Sequence, residues 1–549
     1  MYPKSGRRIE SRCDFGSETL SIETADLLDP ANVAETAAKG MMSSLYARLK
    51  PGAIAVYGPR STRTFAELNS NANRLVAALA RAGVGDGDHI ALICGNTVEF
   101  IEVLTAVYRS GLRLTPINWH LSPPEVAYIV GDCQAKALIA SADFAASAQA
   151  SLNDHLKIKL AIGGEIDGFE SYEKALAAES DADPVNPTHG TTMMYTSGTT
   201  GRPKGVYRAR SMVIPPSWGE GSPKGYDINR DVNMCCGPAY HAAPLAFDIA
   251  QPLNAGITIV LMERFDPEGW LQTIEKYKVT HTHMVATMFQ RVLALPKATR
   301  EKYDLTSLRH ILHGAAPTPP EIKRAMIEWL GPIIHEYYAA SEGGGAFLIN
   351  SEEWLKKPGS VGKLMPGSGT RIVGDNGEDV PVGEVGQIYF PHSPIARFEY
   401  YNDKAKTEAA ELAGGSHFTV GDMGYVDEDG YLFLTGRTAE CIISGGVNIY
   451  PQEVDNEFVR HPAVRETCTV GVPNDEWGEE VKAVIALYPG YTPSPELAKE
   501  LLDFIRPNLA GYKMPRSVDF VDDIPRSEAG KVQRRQVRAP YWAGRDKQI

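Results

Sequence analysis

The chain has 549 residues, of which 43% are hydrophobic and 22% charged, with a formal net charge of −13. That length exceeds one ordinary domain, and the mixture is that of a soluble globular protein with a large core. The acidic balance argues against a nucleic-acid partner, because no excess positive charge is present to neutralise phosphates; a local basic pocket can still take a small anion.

In chain order, residues 1–16 are polar and charged and lack the apolar centre of a signal peptide, and 1–40 read as a loose lead-in. The spacing of Leu68, Ala72, Leu75, Val76 and Leu79 predicts a helix over 64–83, stopped by Gly83. An apolar run at 89–94 has strand length. A second helix over 98–110 ends at Gly111, and 135–140 is the next strand. Strands alternating with helices predict parallel sheets covered by helices. The alternation resumes after residue 190, with strands at 257–262, 281–285 and 308–312 and a helix at 268–277. Between 369 and 390, Gly-Glu and Asp-Asn-Gly turns punctuate short alternating strands, as in an antiparallel sheet or small barrel. A compact α+β pattern follows Gly436-Arg437. The expected class is α/β: a large N-terminal domain of helix-covered β-sheets plus a small barrel-like β subdomain, then a small α+β C-terminal domain.

No run of 18 apolar residues predicts a membrane span, and Lys547-Gln548-Ile549 is not a peroxisomal address, so a cytoplasmic protein is expected. The seven cysteines (Cys13, Cys94, Cys133, Cys235, Cys236, Cys441, Cys468) are odd in number and form no C-x-x-C pair. They are expected to pack as small hydrophobes in a reducing compartment.

The strongest chemical signal is Tyr195-Thr196-Ser197-Gly198-Thr199-Thr200-Gly201-Arg202-Pro203-Lys204-Gly205. Its glycines let the backbone turn tightly and expose N–H groups, while hydroxyls and a lysine add donors. That chemistry suits a polyphosphate, although the loop is not a Walker A sequence. It resembles the phosphate loop of the adenylate-forming superfamily of acyl-CoA synthetases, peptide-synthetase adenylation domains and beetle luciferases. Further segments resemble that family's motifs in order: Pro238-Ala239-Tyr240-His241, Gly314-Ala315-Ala316-Pro317, Tyr337-Tyr338-Ala339-Ala340-Ser341-Glu342, Val420-Gly421-Asp422, Gly436-Arg437, Ser444-Gly445-Gly446-Val447-Asn448-Ile449-Tyr450-Pro451, and Pro525-Arg526-Ser527-Glu528-Ala529-Gly530-Lys531.

The resemblance implies a division into residues 1–436, binding ATP and the acyl group, and a mobile domain of residues 437–549, with a hinge near 437–440. It implies ATP, Mg²⁺ and coenzyme A as co-substrates and cofactor. Joining a carboxylate to an α-phosphate brings two anions together, so cations must offset their repulsion. Lys531 is expected to do so in the adenylation transition state; taken alone, beside Arg534-Arg535, it would read as part of a solvated basic face. Glu342, with Thr196, is expected to hold the magnesium ion. Thr196, Ser197, Thr199, Thr200 and Lys204 would hold the β- and γ-phosphates, with Gly198 and Gly201 shaping the loop. Gly314, Ala315, Ala316 and Pro317 would border the adenine, beside Tyr338 and Ser341. Asp422 would accept from the ribose hydroxyls, and Arg437 would reach the ribose or a phosphate, an interdomain salt bridge being its plain alternative. His241, Ala242 and Ala243 would border the acyl tunnel, and Gly445 and Gly446 would admit the pantetheine arm of coenzyme A.

Two departures from the family pattern stand out. Val420 replaces the threonine expected before Gly421 and removes a hydroxyl, and Ala439 occupies a hinge position where the family usually carries Asp or Lys. No carrier domain follows Lys531, Asp248 lies too close to Gly256 to be an amine-binding aspartate, and nothing points to oxygen chemistry. An AMP-forming acid–CoA ligase (acid–thiol ligase) is therefore expected. Residues 242–250 and 285–288 supply small and apolar side chains, suited to a fatty, aryl-alkanoic or steroid side-chain acid. The oligomeric state is not legible, homodimers being common.

Overall fold

The structure is a computed structural model. It describes residues 29–543, apart from 197–202, 210–224, 317, 346, 365–366, 375, 394–395, 445–446, 475–476 and 528–529.

Local chemistry explains the first long helix, Phe65–Arg81. Thr64 Oγ1 accepts from the Glu67 N–H at 3.2 Å and Glu67 Oε2 accepts from the Thr64 N–H at 2.8 Å, which satisfies two donors at the helix start. Leu68, Ala72, Leu75 and Leu79 are buried, each leucine contributing about 2 kcal/mol; Val76 is only half-buried. Gly83 takes φ 71°, a turn that glycine enters without steric cost, and the helix ends there.

Two helix-covered sheets follow from the alternation. One has six parallel strands in the order Glu170–Ser171, Ile158–Ile162, Ala137–Ser141, His89–Ile93, Arg113–Pro116, Thr191–Thr192. The other has eight, in the order Phe347–Ile349, Ile334–Tyr338, His310–His313, His281–Met284, Val232–Cys235, Thr258–Leu261, Ile54–Tyr57, Thr62–Thr64. Only its two edge strands run antiparallel. The expected strands are present with ends shifted by one or two residues. Ligands of such sheets gather at the carboxyl ends of the strands.

The texture change near 369 is an antiparallel sheet in the order Ser360–Lys363, Tyr431–Arg437, Asp422–Val426, Gly386–Pro391, Arg371–Val373. A small three-stranded sheet pairs Phe398–Tyr400 with Lys204–Arg208 and that strand with Met194–Thr196. The last part of the chain is α+β. Val464–Asn474 and Gly478–Leu487 form a long antiparallel pair, extended by Ser517–Val521 and by the hairpin Ile442–Ser444 and Val447–Ile449. Helices Pro451–Phe458 and Pro495–Ile505 cover it through Val454, Phe458, Leu501 and Ile505. Arg534 is not part of a solvated face: it is buried, with both Nη atoms 3.0 Å from Asp455 Oδ2.

Cys94, Cys133, Cys235, Cys236 and Cys468 are buried as free thiols and Cys441 is half-buried, while Cys13 lies outside the described residues. Among the described residues no helix is long and apolar enough to cross a membrane.

One buried ion pair lies directly under the strand ends that matter below. Lys323, in helix Pro320–Leu330, is fully buried and donates to Glu336 Oε2 at 2.7 Å, with its ammonium 4.7 Å from the Trp354 ring centre. His313 Nε2 is 3.6 Å from the same oxygen. Burial pushes Lys323 down and Glu336 up, and each partner opposes the shift of the other. Lys323→Ala would strand a buried carboxylate, so it is expected to cost roughly 3–5 kcal/mol, and Lys323→Met with Glu336→Leu to recover most of that. Denaturant unfolding of both variants checks this; a loss under about 1 kcal/mol for the single variant would mean that the pair is not holding these strands.

Candidate active site

Thr196 and Lys204 face each other in the antiparallel register of their strands, so the glycine-rich segment between them joins a hairpin. Ser197, Gly198, Thr199, Thr200 and Gly201 themselves lie outside the described residues, as do Pro317, Gly445 and Gly446. On the other side of Lys204–Arg208, Tyr400 pairs with Val206. The Tyr400 hydroxyl donates to Glu342 Oε1 at 3.0 Å, and Arg208 Nη2 donates to the Ser341 carbonyl at 2.6 Å. The three-stranded sheet therefore holds the 341–342 segment from two points, Tyr400 and Arg208. Among the described residues Tyr400 is the only hydrogen-bond donor to Glu342, leaving Oε2 open to a hard cation. Lys204 Nζ lies 3.4 Å from Asp403 Oδ2 and 6.0 Å from the centre of the Tyr400 ring.

The ends of two neighbouring parallel strands meet here. Gly314 follows His310–His313, and a Cβ at that position would stand 2.6 Å from Tyr337 Cε1, so only glycine lets the Tyr337 ring lie there. Ala315 next to it has φ 65°. A left-handed alanine costs roughly 1–2 kcal/mol, and such strain collects at ligand-holding turns. On the adjacent strand the Tyr338 hydroxyl donates to Asp422 Oδ2 at 2.8 Å, and Arg437 Nε donates to Asp422 Oδ1 at 2.8 Å. Burial and then the Asp422 charge push the Tyr338 hydroxyl well up. Desolvation pulls Arg437 down, but the Asp422 charge and hydrogen bond outweigh it and the net shift is upward. Asp422 and Arg437 are cross-strand partners, so the salt bridge follows from the register of the antiparallel sheet. The hydroxyl missing at Val420 is present one residue earlier: Thr419 Oγ1 accepts from the Gly421 N–H at 3.0 Å.

Lys531 reaches this cluster from the C-terminal sheet. A short hairpin carries it: the Ser527 N–H donates to the Lys531 carbonyl at 2.8 Å, and Arg526 Nη1 donates to the Gly530 carbonyl at 2.7 Å. Gly530 has φ 75°, and a Cβ there would come within 2.6 Å of Thr287 Oγ1 and 3.5 Å of Val285 Cγ2. The hairpin thus seats against the segment after strand His281–Met284. Lys531 keeps solvent-accessible surface in the cleft, yet crowding desolvates it and lowers its pKa; Arg437 adds to the fall, and Asp422 and Glu342 oppose it.

His241 caps the turn Ala242–Pro244, and its N–H donates to the Pro238 carbonyl at 3.0 Å. Its buried Nε2 has no partner among the described residues. Burial, then the charge of Lys531, then His120 push its pKa to about 4, so the ring is neutral near pH 7. The helix continues as a π-helical stretch, Leu245–Ala250, a distortion frequent at functional sites. Ala242, Ala243, Ala246 and Phe247 are half-buried while Asp248 is fully buried, its Oδ1 accepting from Asn233 Nδ2 at 3.1 Å and from the His283 N–H at 2.9 Å.

Sequence reasoning missed several residues here. Phe247 lies 4.6 Å from Tyr337 ring to ring, and His283 Nε2 is 3.2 Å from the Tyr337 hydroxyl, so this side of the cleft is more aromatic and polar than its small residues suggested. Lys406, in helix Lys404–Ala409, stands 5.2 Å from the centre of the Tyr400 ring. Nothing in a lone lysine of a polar stretch signals this; pairing of strand Phe398–Tyr400 with Lys204–Arg208 brings it in.

The AMP-binding enzyme family matches residues 45–398, and the AMP-binding enzyme C-terminal domain matches residues 453–531. An indoleacetate–CoA ligase of Aromatoleum aromaticum is 33% identical over 500 residues, covering 90% of this chain and 96% of that protein. A feruloyl-CoA synthase of an Amycolatopsis species is 33% identical over 497 residues, covering 90% and 97%. Among solved structures, an anthranilate–CoA ligase in complex with anthranoyl-AMP aligns with a TM-score of 0.79 at 26% identity, covering 92% of this chain and 97% of that one.

Proposed function

The chain belongs to the AMP-binding enzyme family and is an AMP-forming acyl-CoA synthetase, and on that footing we propose how its residues divide the work and which acids it takes. The carboxylate attacks the α-phosphate of ATP and pyrophosphate leaves; the thiol of coenzyme A then attacks the acyl carbon and AMP leaves, the thiol proton passing to solvent. Lys531 offsets charge at the α-phosphate in the first step. Neutral His241 borders the carboxylate, Gly314 and Ala315 border the adenine, and Asp422 and Arg437 hold the ribose. The observation that carries this reading is the seating of the Gly530-Lys531 hairpin on the Val285–Thr287 segment, where the lysine feels Arg437, Asp422 and Glu342 at once.

The division of labour falls at residues 436 and 437, with the pivot near 437–440 and the half-reaction with coenzyme A on the face bearing Gly445 and Gly446. We assign the acid to the aryl and aryl-alkanoic class, supported by the Phe247–Tyr337 contact and by the aromatic acids named for the relatives. We propose a cytoplasmic location for the enzyme. A pyrophosphate-release screen over aryl-alkanoic, fatty and steroid side-chain acids, with and without coenzyme A, tests both parts. Turnover only on long fatty acids would overturn the assignment.

Glu342 Oε2 and the Thr196 hydroxyl are the proposed magnesium ligands, and an ion held there would supply positive charge to offset that of the leaving pyrophosphate. Activity is expected to vanish in EDTA and return with Mg²⁺, and Glu342→Ala to lose most turnover at any magnesium concentration near the wild-type requirement. Full-rate pyrophosphate release after chelation would rule the assignment out.

A further inference from the structure

The Tyr400 ring carries two ammonium groups. Lys204 Nζ stands 6.0 Å from its centre and Lys406 Nζ 5.2 Å, while its hydroxyl is committed to Glu342. The carboxylate nearest this pair is already divided. Asp403 Oδ1 caps helix Lys404–Ala409 by accepting the Lys406 N–H at 3.1 Å, and Oδ2 faces Lys204 at 3.4 Å. Thr407 fixes the helix on the strand, its Oγ1 accepting from the Tyr400 N–H at 2.9 Å and donating to the Asp403 carbonyl at 3.0 Å. Lys406 is therefore placed by the fold rather than by a free side-chain search. Desolvation and the Lys204 charge lower its pKa to about 8, Asp403 and Glu342 opposing. Two like charges held together beside a glycine-rich hairpin cost free energy in the empty protein, and a polyanion between them reverses the sign of that interaction.

We propose that Lys406 is a second cation for the leaving pyrophosphate, acting with Lys204 beside the Tyr400 ring on the β- and γ-phosphates. The proposal rests on the reading of this cleft as the ATP site given above. Lys204 enters from strand Lys204–Arg208 and Lys406 from helix Lys404–Ala409, so the two lysines approach the phosphates from two different elements. A compact ammonium serves here as a point charge, and a guanidinium at 406 would keep that charge.

Two measurements on the full-length chain test it. In calorimetry with inorganic pyrophosphate and Mg²⁺, Lys406→Gln is expected to bind about 10-fold more weakly than the wild type, and Lys406→Arg to restore most of that loss. In ATP–pyrophosphate exchange the apparent KM for pyrophosphate should rise by a similar factor while the KM for the acid stays within about twofold, which a general structural disturbance would not produce. Equal pyrophosphate affinity in wild type and Lys406→Gln, failure of arginine to rescue, or a matching rise in the KM for the acid would each overturn it. A wild type that bound pyrophosphate through Lys406 yet exchanged with no acid would instead overturn the function proposed above and leave this assignment standing.

Discussion

Lys531→Ala is expected to slow acyl-adenylate formation about 10²–10³-fold, or about 3–4 kcal/mol, and to spare thioester formation from supplied acyl-adenylate. The expectation follows from where the hairpin puts the ammonium. It stands in one cleft with Asp422, Glu342, Arg437 and the ring of His241, where burial lowers the histidine pKa and the lysine charge adds to the fall. In the first step negative charge accumulates between carboxylate and α-phosphate, and removing one preorganised cation there has a cost of this order. In the second step AMP leaves, and under the pivot proposed near 437–440 the face bearing Gly445 and Gly446 replaces the hairpin in the cleft, so the lysine does not act there. Separate assays of the two half-reactions on one preparation decide it. Equal losses in both would show that the lysine does not act in the first step alone.

Gly530→Val should give nearly the same pattern with the lysine still present. The added Cβ would sit 2.6 Å from Thr287 Oγ1 at a backbone φ of 75°. Overpacking of that kind costs about 1–3 kcal/mol, and the left-handed valine adds roughly 1–2 kcal/mol. Both penalties weigh on the docked hairpin, so adenylation is expected to fall about 10²-fold. The thioester half-reaction and the circular dichroism spectrum should stay close to those of the wild type. If valine at 530 left adenylation untouched, the seating of this hairpin on Thr287 would not be the productive one.

Much of this was legible in the sequence where local rules suffice. The 3.6-residue spacing of Leu68, Ala72, Leu75 and Leu79, with Thr64 and Glu67 ahead of it, defines a helix without help from the rest of the chain. Strand length and alternation predicted the parallel sheets. The ordered motifs pointed to Asp422, Arg437, Glu342 and Lys531, and the fold gathers these into one cleft. What stayed hidden depends on long-range pairing. The bond from Arg437 to Asp422 within one sheet follows from cross-strand register, and the burial of Arg534 on Asp455 from packing across the C-terminal sheet. Tyr337, Phe247 and His283 converge only because a π-helical stretch packs near two strands of one sheet that are separated by a third, and no spacing within any one segment encodes that.

The three-stranded sheet of Met194–Thr196, Lys204–Arg208 and Phe398–Tyr400 also constrains how such chains can be recombined. It ties one wall of the cleft to segments nearly two hundred positions apart, although the large family match itself stops at residue 398. A crossover anywhere between 208 and 398 would take Lys204 from one parent and Tyr400, Asp403 and Lys406 from the other. Each parent would then contribute half of a fitted charge arrangement, and hybrids of diverged relatives would inherit mismatched halves. A junction beyond Ala409 keeps the wall intact from a single parent, so the C-terminal part can be exchanged as a block while this wall remains one unit of inheritance.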